Sequence, residues 1–305
     1  MTIHELQSAS HTWLNIPQPS QEDVSALRKR FPYIHPLNLE DVLSRLERPK
    51  VDADEQYLFV VLQFPVWDQA NRISRAAEVN LILGRRFVVS MHDDSLKPLR
   101  SFFAQCQQDE TVLQAQLGRG AGFIFYSIID QLVDYCFPIL RKVNVNVDRL
   151  EESVFTDEPR RIIREIAEVR RDIIALRRII RHQIPVVEEL ESSDHPLLHE
   201  DMEEYYGDIV DHLYNAWNIL EENHEVIASL SETADRLVTH RTNEVVRILT
   251  VISVVLLPMT LVTGIWGMNI RLPFSQNPSA FLLISVIMIG IALAMFWFFR
   301  RRHWL

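Results

Sequence analysis

Six residues near the C-terminus, Val246, Leu249, Ser253, Leu257, Thr260 and Gly264, share one stripe of a helix that turns about 100° per residue, a band roughly 90° wide. Ser253 and Thr260 bring hydroxyl oxygens, and Gly264 leaves room. The stretch "GIWGMNIRLP" (264–273) follows at once, with the amide of Asn269 and a single charge, Arg271. Neutral oxygen is thus offered where formal charge is nearly excluded. Small and hydroxylic residues on one stripe also serve contacts between helices in a membrane. Both uses hold together if identical helices surround an axis. One helix cannot enclose a pore, so passage of a solute through this stripe requires an oligomer.

The elements that must position these residues are two uncharged runs. Ile248 to Trp266 gives 19 residues and Ala280 to Phe299 gives 20, each about the length needed to cross a hydrocarbon core. The second run ends in "FWFFRRRHWL", aromatic and then basic with Arg300, Arg301 and Arg302. Arg236, Arg241 and Arg247 precede the first run, whereas the loop between the runs has Arg271 alone. The positive-inside rule places both termini in the cytoplasm and the loop outside. The opening "MTIHELQSASHTW" does not resemble a signal peptide, in keeping with a cytoplasmic start.

The remainder is expected to be cytoplasmic and large enough for one or two domains. Cys106 and Cys136 are isolated, which points to neither a disulfide framework nor a thiolate zinc site. Residues 1–118 read as an α/β domain. Gln56 to Val66, Glu78 to Gly84 and Arg86 to His92 read as strands, with Gly84 at a hairpin turn, and Ser20 opens a helix with acids in its first turn. Residues 119–244 read as a helical hairpin and a stalk. Phe123 to Phe155 and Pro159 to His182 form the hairpin around "TDEP". A single helix from Pro196 to Trp266 would be roughly 105 Å long. Residues 245–305 form the transmembrane domain, with spans at about 245–266 and 280–299, an outer loop at 267–279 and a basic tail.

"LLPMTLVTGIWGMNI", followed by a short loop, a second span and a basic tail, resembles the CorA family of divalent-cation transporters. "HPLNLEDVLSRLERPKV" and "YLFVVLQFPV" are similar to its N-terminal domain. The resemblance runs over essentially the whole chain and implies a funnel-shaped homopentamer: an α+β cytoplasmic domain, a long helical stalk and two C-terminal transmembrane helices. Gly267, Met268 and Asn269 match the family signature, with Asn269 as a ring of amide oxygens holding hydrated Mg²⁺ at the outer mouth. Mg²⁺ demands octahedral oxygen ligation and dehydrates reluctantly, so a neutral oxygen ring bonding to its waters can select the ion without trapping it. Thr260 would add a hydroxyl ring below, and Leu257, Leu249 and Val246 would add apolar constrictions that gate by dewetting.

The resemblance further implies that intracellular Mg²⁺ bridges carboxylates of neighbouring subunits and holds the pore closed. Asp208 and Glu232 fall at such positions, with Asp93 and Asp94 as candidate partners from the α/β domain, and Arg300, Arg301 and Arg302 form a basic collar at the inner exit. The stalk from Glu200 to Glu244 carries twelve acids against two arginines, so a solvated acidic face competes with any one assignment. The outer loop "IRLPFSQNPS" has no acid to concentrate cations, and Trp266 replaces the family's usual Tyr before the signature.

The 11 histidines are scattered without ligand spacing. The Arg-rich helix at 159–182 is expected to meet the acidic stalk or neighbouring helices rather than nucleic acid. No nucleophile elbow, phosphate-binding Gly loop or metal-hydrolase motif occurs, which points away from an enzyme. The expectation is a pentameric Mg²⁺ channel in the lipid bilayer of a prokaryotic plasma membrane. The alternatives are transport of Co²⁺, Ni²⁺ or Zn²⁺, including proton-coupled transport, or a membrane-anchored helical scaffold that moves nothing.

Overall fold

The structure, a computed structural model, describes residues 3–8, 10–44, 47–156, 158–198, 202–268 and 279–302. These divide into two compact units, residues 1–231 and 232–305.

The first unit is built on six strands: β1 (His4–Ser8), β2 (His11–Pro17), β3 (Lys50–Asp54), β4 (Tyr57–Asp68), β5 (Ile73–Gly84) and β6 (Phe87–His92). Their order in the sheet is β1-β2-β6-β5-β4-β3, with β2 and β6 parallel and every other neighbouring pair antiparallel. Two residues, Arg85 and Arg86, turn β5 into β6. A Cβ on Gly84 would lie 2.0 Å from the Phe87 ring, so this turn requires glycine for the close approach of an aromatic rather than for its dihedral angles.

Both faces of the sheet are covered, which is why β4 reads as a nearly unbroken apolar run. On one face Phe59, Val61, Ile82 and Val89 pack with residues of α1 (Gln21–Arg30) and α2 (Pro36–Asp41). Ser20 starts α1 through a reciprocal capping box with Asp23, satisfying two N–H groups that the first turn leaves open. On the other face Trp13 meets Phe103 of α3 (Lys97–Gln108) edge to face, with ring centroids 4.9 Å apart. Burying side chains of this size stabilises the unit by about 1.5–3 kcal/mol each.

Helices complete the first unit: α4 (Glu110–Leu117), α5 (Ala121–Asp134), α6 (Cys136–Ser153) and α7 (Pro159–Glu191). The expected helix from Phe123 to Phe155 is two helices divided at Tyr135, and the expected end at His182 is overrun by nine residues. Pro185 lies inside α7 and removes one backbone donor. Val186, Val187 and Leu190 beyond it are buried, and that packing holds the helix together. Gln183, itself fully buried, accepts the backbone N–H of Gln63 at 3.2 Å and donates to its own helix at Ile179. The α5–α6 segment is apolar and long enough to resemble a membrane span. Its Ile124, Phe125, Ile128 and Leu132 are core residues of the first unit instead.

α8 (Glu203–Trp266) is one helix of 64 residues. In its first part Tyr206, Ile209, Leu213, Ala216, Leu220 and Ile227 are buried at alternating steps of about three and four, the spacing of a helix seam. Polar contacts flank the seam. Asn223 donates to Asn144 of α6 at 2.5 Å, and Arg177 of α7 reaches Glu221 at 2.7 Å. The second unit holds the rest of α8 and α9 (Ala280–Arg301).

Candidate functional site: an exposed stripe and an acidic cluster

All six residues of the predicted stripe, Val246, Leu249, Ser253, Leu257, Thr260 and Gly264, are exposed in the single chain. The sheltered residues of the same stretch are Val251, Val255, Pro258, Met259 and Val262, which lie on the opposite side of the helix at about 100° per residue. On α9 the sheltered residues Ile284, Ser285, Met288, Ile291, Ala292, Met295 and Phe299 also form one stripe. Two helices packed side by side shelter such a pair of faces. The hydroxyl-bearing face of α8 is therefore opposite the sheltered face of the same helix.

The hydroxyls are already oriented. Ser253 Oγ donates to the Leu249 carbonyl at 2.9 Å, and Thr260 Oγ1 donates to the Leu256 carbonyl at 3.0 Å. Each hydroxyl has one proton to give, so what remains toward the exposed side is acceptor oxygen. Pro258, two residues before Thr260, has no N–H for the carbonyl of Val254.

The helix ends at the signature. Gly267 N–H bonds the Thr263 carbonyl at 2.8 Å, and Met268 N–H bonds Ile265 at 3.3 Å. A Cβ at Gly267 would stand 3.1 Å from that Thr263 carbonyl, so the position is tight for anything larger. Asn269 and the loop with Arg271 lie outside the described residues. Arg300, Arg301 and Arg302 are exposed at the end of α9, where Arg301 stacks over Trp297 and Arg302 over Phe298, at 5.3 and 6.0 Å from the ring centres.

The acids proposed for regulation have different surroundings. Asp208 is in a cluster that sequence reasoning did not assemble. Asp130 and Asp134 of α5 and His212 of α8 have ligand atoms all within 4.8 Å of one another, and Asp208 Oδ1 is 3.9 Å from His212 Nε2. His212 Nδ1 is 3.6 Å from Asp134, beyond a good hydrogen bond. Burial, then the charges of Asp134 and Asp208, push the Asp130 carboxyl above its usual range. The signal was present as two pairs spaced by four residues, Asp130 with Asp134 and Asp208 with His212. Only the packing of α5 against α8 reveals that they converge.

This donor set fits a divalent cation. Carboxylate oxygens suit Mg²⁺, while the imidazole nitrogen of His212 also suits Co²⁺, Ni²⁺ or Zn²⁺.

Asp93 and Asp94 have arginine partners within the chain. Asp93 pairs with Arg75 at 3.3 Å and accepts from the backbone and side chain of Ser95. Asp94 lies 3.6 Å from Arg100 and has a φ of 63°. Glu232 pairs with Arg236 one turn along α8, at 2.6 Å, with both side chains exposed.

A long apolar hairpin with hydroxyls on its free face, attached to an α/β unit with a carboxylate cluster, has the makeup of a membrane protein for cations. The chain belongs to the CorA-like Mg²⁺ transporter protein family, which matches residues 8–301. It is 29% identical over 302 residues to the cobalt/magnesium transport protein CorA of Thermotoga maritima, covering 98% of this chain and 84% of that one. It is 26% identical to the divalent cation transporter CmaX of Pseudomonas aeruginosa, over 87% of this chain and 79% of that one. The complete structure of the CorA magnesium transporter from Methanocaldococcus jannaschii superposes with a TM-score of 0.84 at 20% identity, covering 98% and 93% of the two chains.

Proposed function

We propose that the chain assembles as a homopentamer in a prokaryotic plasma membrane, with both termini cytoplasmic, and conducts hydrated Mg²⁺ along an axis lined by the α8 stripe. The observation that carries this reading is the orientation of that stripe. Its hydroxyls and apolar residues are exposed in the single chain and lie opposite the sheltered face. Copies arranged about an axis would stack Thr260 and Ser253 as rings of acceptor oxygen, with Leu257, Leu249 and Val246 as the narrow apolar rings between and below them. Gly267, Met268 and Asn269 would form the outer filter, and Arg300, Arg301 and Arg302 the basic collar at the inner exit.

Asp130, Asp134, Asp208 and His212 would bind an intracellular divalent ion, and Glu232, Asp93 and Asp94 are further candidates for contacts between subunits. A bound ion offsets the mutual repulsion of these carboxylates. That stabilises one arrangement of the helices, so ion binding shifts the population toward the closed state.

A second cargo is a further reading, because the Thermotoga maritima relative is named for cobalt as well as magnesium. Ion entry into liposomes containing the purified protein separates these readings. Mg²⁺, Co²⁺, Ni²⁺ and Zn²⁺ are compared with and without a proton gradient, for wild type and Asn269→Ala. Wild type should admit Mg²⁺ without needing the gradient, and Asn269→Ala should lose most of that entry at unchanged oligomer size. Absence of Mg²⁺ entry in wild type would overturn the proposal, and full entry through Asn269→Ala would remove the filter assignment.

A further inference from the structure

A cavity of about 580 Å³ opens in the first unit between α6, the first half of α7 and the loop joining β4 to β5. Small-molecule sites span about 300–1,000 Å³, so the volume is sufficient for one. Five arginines line it: Arg72, Arg149, Arg160, Arg161 and Arg164. Four carboxylates stand on its wall, Glu158, Glu165, Glu168 and Asp172, and the last three are engaged. Glu165 takes Arg161 at 2.8 Å and Arg149 at 3.4 Å. Glu168 takes Arg72 at 3.2 Å, and Asp172 accepts the backbone N–H of Ser74 at 2.6 Å. Arg160 and Arg164 have no carboxylate partner among the described residues. They lie one turn apart on α7, and both are exposed.

Trp67, at the end of β4, lines the same cavity with 52% of its surface exposed. An indole left this open on the rim of a cavity is unusual for packing and well suited to stacking, because either ring face can take a planar group. Guanidinium groups recognise phosphate oxygens with two parallel hydrogen bonds. The wall thus offers two functions side by side, a flat aromatic surface and a pair of guanidiniums with no carboxylate partner among the described residues. Five arginines face four wall carboxylates, of which Glu165 and Glu168 are paired with arginine and Asp172 is held by a backbone N–H.

We propose that this cavity binds a nucleoside di- or triphosphate, with the base on Trp67 and the phosphates on Arg160 and Arg164. The site is separate from the stripe on α8 and stands whether or not the transport reading holds.

Equilibrium dialysis of radiolabelled ATP against the full-length, detergent-purified protein tests it. Divalent ions are omitted, so that chelation by the nucleotide changes nothing else. Wild type should show saturable binding of one nucleotide per chain. Arg160→Ala with Arg164→Ala should weaken it at least about tenfold, which is about 1.4 kcal/mol. Arg178→Ala with Arg181→Ala removes the same charge from α7 outside the cavity and should leave binding unchanged. Trp67→Ala should weaken ATP but not tripolyphosphate. No saturable binding, or equal loss in both double variants, would overturn the site. An unchanged ATP affinity in Trp67→Ala would overturn the assignment of the base.

Discussion

Thr260 gives its only proton to its own helix, so any water or ion passing its exposed side meets an acceptor and no charge. Leu249 and Leu257, 63% and 69% exposed on the same face, offer nothing that water can bond to. A ring of such side chains resists hydration, and a narrow pore there closes by losing its water. Leu249→Asn should therefore raise basal Mg²⁺ leak into liposomes well above wild type, and an unchanged leak in the assembled variant would place Leu249 against lipid or another helix. The stripe was legible from the sequence because one helical period determines it. The acidic cluster was not. Asp130 and Asp208 are 78 positions apart in the sequence, and no local rule brings α5 to α8.

At the scale of elements, the strongly apolar strands β4, β5 and β6 were legible, whereas β1, β2 and β3 were not read. β1 and β3 are the edges of the sheet, short and polar, as edges that avoid pairing with other chains tend to be. Their signal is accordingly weak. β1 is held by Arg30 of α1, which donates to both carboxylate oxygens of Glu5 at 2.9 and 2.8 Å. Hydrogen bonding to Arg30 pulls the Glu5 pKa from 4.5 down to about 2. A depressed carboxylate contributes stability that is present above its unfolded value and is lost as pH falls through the folded one. This contribution should fade between about pH 4.5 and about pH 2. Because the side chains are 43% and 31% exposed, it amounts to about 1 kcal/mol or less. Glu5→Gln should lower thermal stability slightly at neutral pH and converge with wild type near pH 2, as followed by circular dichroism. A constant difference across that range would assign the effect to packing.

At the scale of the whole molecule, α8 carries both Asp208 with His212 and the stripe, so one helix belongs to the acidic cluster and to the apolar C-terminal pair of helices. Withdrawal of Mg²⁺ should loosen the acidic cluster and expose sites to protease. Asp208→Asn removes both a repelling charge and the proposed ligand, and should lose part of the Mg²⁺-dependent protection in limited proteolysis. The effect should be partial, because Asp130 and Asp134 remain. Identical curves for the two proteins across a Mg²⁺ titration would make Asp208 a solvated acid.

The central claim is that Mg²⁺ crosses the membrane along one face of α8, and chemical access to that face tests it. Cys106 and Cys136 are buried, with their thiols pushed up to about 11 and about 12 by desolvation, so they give little background toward a thiol reagent. Leu257→Cys puts a thiol on the exposed stripe, and Val255→Cys puts one on the sheltered face. The measurement is Mg²⁺ entry into liposomes before and after treatment with a small charged thiol reagent. The account predicts that treatment blocks entry through Leu257→Cys and leaves wild type and Val255→Cys unaffected. Unimpaired entry through treated Leu257→Cys, or equal block of Val255→Cys, would contradict it.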